Sequence, residues 1–170
     1  MFWITMALAS GTVPTDCPAR EVPVEGLDGV MVRFPAQPCV FEVGAEPTPI
    51  RWEIVVERPL GKIESTPHHC SSFDGSGFVL RPTVRQGPLL YDPWDHGECA
   101  TTEQTKSSPE AGTTPGTFSW SPHAWSGPSC TGEPYGTAFV AGPAAFQLAF
   151  SGTRRGKPFS VMATWPIALR

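Results

Sequence analysis

Four histidines, five cysteines and six tryptophans are the residues of this 170-residue chain best suited to chemistry, and several of them cluster. One cluster is His68-His69-Cys70. The other is the run Asp92-Pro93-Trp94-Asp95-His96-Gly97-Glu98-Cys99. A bond between Cys70 and Cys99 would hold the two together, so that His68 or His69 could converge with Asp95 and His96. Imidazole with carboxylate suits zinc or copper. A catalytic metal needs three ligands and an open position, and a structural one needs four. No spacing here is diagnostic, because HExxH is absent and neighbouring histidines on a strand point to opposite faces. The bland alternative is a set of polar loop residues around a disulfide, with no cofactor at all. A thiol at Cys130 near His123 would be the simplest activated nucleophile, but the six intervening residues fix no geometry. Gly-x-Ser-x-Gly, Walker and dinucleotide-binding motifs are missing.

The cysteines at 17, 39, 70, 99 and 130 contain no CxxC pair, which removes support for zinc ribbons and thioredoxin-type redox motifs. Their wide gaps suit bridges between distant strands. Several pairings are open, and the preferred ones are Cys70–Cys99 across the central irregular region and Cys17–Cys39 on the N-terminal arm. An odd count leaves one thiol free or bonded to another chain. Disulfides imply an oxidising compartment. The apolar opening Met1 to Ser10 contains Ala7-x-Ala9, the small-x-small pattern of a signal-peptidase site, so residues 1–9 read as a signal-peptide remnant on an exported protein. An ordinary apolar first strand is the competing reading.

Aromatic rings are the third resource. Trp94 and Trp125 lie in Pro/Gly-rich stretches, with Tyr91 close by, and a flat apolar face plus a donor suits a protein partner or an envelope glycan. Trp120 alternates with Phe118 and reads as core instead. Nucleic acid is excluded as a partner: Lys and Arg number 12 against 16 Asp and Glu, and the basic residues are scattered apart from Arg154, Arg155 and Lys157.

The elements that must position these residues are strands. Twenty prolines and 17 glycines leave no room for a periodic helix. Aromatics at 11% and charged residues at 16% argue for a packed core rather than disorder. No apolar run approaches the ~18 residues of a membrane-spanning helix. The apolar period is two: Val30/Val32/Phe34, Cys39/Phe41/Val43, Trp52/Ile54/Val56, Phe78/Leu80 before Pro82, Phe118/Trp120, and Thr137–Ala141 ended by Gly142-Pro143. Phe146/Leu148/Phe150 and Phe159/Val161/Ala163/Trp165, joined by a polar loop over 151–158, form a hairpin. About seven to nine short strands predict an antiparallel β-sandwich, immunoglobulin-like in outline, as a single domain over 10–170 with a flexible loop at 98–116. The expected role is a non-enzymatic exported binding or structural module of the cell envelope or extracellular space. A metal-binding protein or metalloenzyme built on His68/His69 and Asp95/His96 is the second reading. A small exported protease inhibitor using the 98–116 loop as bait is the third.

Overall fold

A computed structural model describes residues 16–47, 49–65, 76–93, 105–126 and 136–170. Among these there are thirteen strands and no helix: β1 (Asp16–Cys17), β2 (Arg20–Pro23), β3 (Val30–Phe34), β4 (Gln37–Pro38), β5 (Val40–Phe41), β6 (Ile50–Val56), β7 (Ile63–Ser65), β8 (Leu80–Gln86), β9 (Leu89–Tyr91), β10 (Thr105–Ser107), β11 (Gly112–Phe118), β12 (Gly142–Arg154) and β13 (Lys157–Leu169). A four-stranded sheet runs in the order β11-β6-β3-β2. A seven-stranded sheet runs β10-β7-β12-β13-β5, with β8 on β12 and β9 on β8. β1 and β4 pair as a short separate ribbon. All pairings are antiparallel except that of β5 with the end of β13.

Period-two sequence makes each of these strands one-sided, and the two sheets bury their apolar sides against each other. Ile50, Trp52, Ile54 and Val56 of β6 and Val30, Val32 and Phe34 of β3 face Phe146, Leu148, Phe150, Val161, Ala163 and Trp165. The contact is aromatic at its centre. Trp52 stacks on Phe146 at 5.5 Å, and Phe34 lies between Trp165 (stacked, 5.9 Å) and Phe146 (edge-on, 5.9 Å). Each such ring stabilises the sandwich by about 1.5–3 kcal/mol through burial alone.

Several expectations change. Proline was expected to end strands, yet β8 runs through Pro82 and β12 begins at Gly142-Pro143. β2 and β11 also contain prolines, Pro23 and Pro115, and both are edge strands, where a missing N–H costs no ladder bond. Thr137–Ala141 is accordingly not a strand; it makes one isolated bridge, Ala138 with His123. Val43 lies past the end of β5 and is 40% exposed. The polar 151–158 loop shrinks to a two-residue turn, because β12 and β13 pair as far as Arg154 with Lys157. Arg155 and Gly156 both have positive φ, 51° and 74°, the backbone of a type I′ turn that matches the strand twist. The flexible loop at 98–116 is corrected as well. Its described part holds β10 and most of β11, whose Thr and Gly residues pair with β7 and β6. Small polar residues look loop-like in sequence, but as an edge strand they need only one apolar side, and β11 ends on buried Phe118.

Candidate functional site

Cys17 and Cys39 are joined by a disulfide, with their Cα atoms 5.6 Å apart. The bond ties the β1/β4 ribbon to the entry of β5. His68, His69, Cys70, Trp94, Asp95, His96, Cys99 and Cys130, and the 1–9 segment, lie outside the described residues. Among the described residues no group of three or more His, Cys, Asp or Glu side chains is arranged to hold a metal ion. His123, the one described histidine, has Nδ1 3.3 Å from the Ser121 hydroxyl.

The aromatics are sorted by burial. Tyr91 was expected to offer its ring to a partner; it is 9% exposed and packs between Phe118 at 5.8 Å and Trp125 at 5.6 Å. Its position follows from β9 pairing, which sets Tyr91 opposite Val84 on the inward side of β8. Burial raises the Tyr91 phenol above its ordinary pKa. Trp125 is half-buried, with its indole nitrogen sealed from solvent and without a hydrogen-bond partner. Tyr91 therefore presents no open face to a partner. Trp120 is core as expected, edge-on to Phe41 and tilted against Phe139.

Two of the concavities lined by described residues lie over the outer sheet faces. The larger is a groove of about 630 Å³ over β6 and β11, lined by Pro35, Arg51, Trp52, Glu53, Pro115, Gly116 and Thr117. Register explains its composition: Glu53 pairs with Pro115, Trp52 with Gly116 and Arg51 with Thr117. Arg51 and Glu53 point outward while Trp52, between them, points into the core. Gly116 is required here. A Cβ at this position would lie 2.4 Å from the Trp52 indole nitrogen and 2.3 Å from its Cε2. That nitrogen is buried and unpartnered. Glu53 also accepts a bond from Arg33 Nη1 at 3.1 Å, while Arg33 Nε donates to Glu21 at 2.8 Å. The two carboxylates raise the Arg33 pKa further above its ordinary value.

The second concavity, about 210 Å³, lies over β8, β9, β12 and β13 and is lined by Arg81, Thr83, Arg85, Leu90, Asp92, Gln147, Ala149 and Met162. β8 turns Leu80, Pro82 and Val84 inward, so Arg81, Thr83 and Arg85 line up on the outer side. In the sequence the only signal of this row is the alternation of Arg81, Thr83 and Arg85, and Pro82 in its midst reads as a strand stop. Asp92, only 3% exposed, pairs with Arg81 through Oδ2 to Nη2 and, more loosely, Oδ1 to Nε at 3.4 Å. Nothing in the described set pairs with Arg85, which is exposed.

No helix among the described residues is long and apolar enough to cross a membrane. No protein-family model matches the chain, and no curated protein or solved structure shows a significant similarity to it.

Proposed function

We propose that this protein is a non-enzymatic binding module working outside the cytoplasm, with the groove over β6 and β11 as its contact surface and another protein as its partner. The observation that carries this reading is the groove itself. Its volume of about 630 Å³ falls in the range of sites that hold a ligand or an inserted segment. Outward Arg51 and Glu53 at adjacent positions offer both signs of charge, and Pro35 and Pro115 supply rigid apolar walls. A protein partner is favoured over a glycan because Trp52, the one aromatic among the described lining residues, is 4% exposed and gives a sugar no ring face to stack on. The Cys17–Cys39 bond supports an oxidising compartment.

A photo-crosslinking residue placed at exposed Thr117 tests the contact surface, with the same residue at Lys157 on the hairpin tip as control. A single crosslinked protein species from an extracytoplasmic extract at Thr117, absent at Lys157, is the expected result. Identical patterns at both positions, or no adduct at Thr117, overturn the assignment. The compartment is tested separately by alkylating the unfolded, unreduced native protein and taking peptide masses. Unmodified, linked Cys17 and Cys39 are expected, and alkylation of both overturns the exported reading.

A further inference from the structure

We infer that the 210 Å³ hollow on the outer face of β8, β12 and β13 is a carboxylate-binding subsite, built to take the C-terminal residue of a peptide with an apolar side chain. It is separate from the groove over β6 and β11, and does not depend on the function assigned there.

The geometry starts from register. Across the sheet, Arg81 is level with Ala149 and Met162, Thr83 with Gln147 and Thr164, and Arg85 with Ala145 and Pro166. Strands lie about 4.8 Å apart, so the alanines form a low floor roughly 10 Å wide between the arginines of β8 and the side chains of β13. The volume is below the about 300–1,000 Å³ of a drug-sized site and suits one residue, not a whole ligand.

Charge selects the ligand. The chain as a whole carries −4, yet among the described residues the hollow is lined by two arginines, Arg81 and Arg85, and one carboxylate, Asp92. Asp92 is already committed to Arg81, which fixes that guanidinium against the sheet. Arg85 keeps its donors for something else, and a guanidinium recognises a carboxylate through two parallel N–H···O bonds. Leu90 lies opposite Arg85 across the β8–β9 pair, and farther along the hollow Ala149 and Met162, level with Arg81, offer apolar contact; Met162 is 58% exposed, unusual for a residue of its type. Gln147 and Thr83 stand between the Arg85 and Arg81 levels with the donors and acceptors that a terminal peptide amide needs. A carboxylate, an amide N–H and an apolar side chain carried on one Cα describe a peptide C-terminus, one of the recurring handles of peptide recognition.

Met162 supplies the readout. The protein labelled with ¹³C at its methionine methyls is titrated with acetyl-Gly-Leu, with the same peptide as its carboxamide, and with glucuronate. Saturable movement of the Met162 methyl with acetyl-Gly-Leu, at least about tenfold weaker with the carboxamide, is expected, since a hydrogen bond to a charged group is worth that factor or more. Arg85→Gln is expected to weaken acetyl-Gly-Leu by the same factor while leaving the melting temperature unchanged, because the Arg85 side chain has no described contact to lose. Equal response to acid and carboxamide, no response at all, or unaltered binding in R85Q would overturn the subsite. Tighter binding of glucuronate than of the peptide would overturn its assignment to a peptide terminus.

Discussion

Trp52 shows how far a single residue can dictate its neighbours. Its ring needs the space that Gly116 leaves open, so Gly116→Ala is expected to destabilise the protein by about 1–3 kcal/mol through overpacking. Urea unfolding followed by tryptophan fluorescence measures it, and a variant as stable as the parent would mean that the ring is free to move aside. Tyr91 makes a different prediction. Burial raises its pKa in the folded state, so the folded protein holds on to that proton longer than the unfolded chain does. Its contribution to stability is complete below about pH 10, the unfolded value, and is lost as pH rises through the higher folded value. Absorbance titration near 295 nm is expected to show one of the two tyrosines ionising late, and Tyr91→Phe is expected to remove that step. Val43 shows the limit of reading at this scale: alternation placed it with Cys39 and Phe41, but a strand's end depends on a partner strand that no local pattern reveals.

Among the elements, β6 depends on a substitute partner. β3 pairs with it only as far as Arg33 opposite Glu53. Beyond that point the Gln37 side chain takes over, its Nε2 donating to the Arg51 carbonyl at 2.7 Å and its Oε1 accepting from the Arg51 N–H at 2.8 Å. Gln37 is 3% exposed, so these groups have little water to fall back on. Gln37→Leu is expected to cost about 1 kcal/mol by leaving the part-buried Arg51 backbone groups without this partner, and to speed hydrogen exchange at the Arg51 amide. Exchange at Arg51 as slow as in the parent would refute this. The same arrangement recurs where Gln86 brackets Val140, with bonds of 2.6 and 2.9 Å. Strands with strong period-two alternation, such as β6, β12 and β13, were legible in the sequence. β4, β10 and β11 were not, because Gln, Thr and Gly stay in register through partners far away in sequence rather than through their own apolar pattern.

At the scale of the whole molecule, the sequence made the sandwich class readable: alternation and Pro/Gly density act together on every strand, and the aromatic positions that alternate cleanly became the centre of the core. The concavities were much less readable. The row Arg81, Thr83, Arg85 becomes a hollow only when β12 places alanines beside it, and Arg51 meets Thr117 only through the β6–β11 register. Such relations join residues 60 or so positions apart, and period-two patterns carry no information at that range. The sheet order has a further consequence, for the timing of synthesis. β12 is flanked by β7 and β8 on one side and β13 on the other, and Leu169 of β13 reaches back to pair with Phe41. A chain emerging N-terminus first therefore holds β5, β7 and β8 without the strands that complete them until nearly the whole sequence is free. The Cys17–Cys39 loop can close early, whereas the seven-stranded sheet must wait, and a holdase that shields those strands until then would be guarding the molecule at its most aggregation-prone moment.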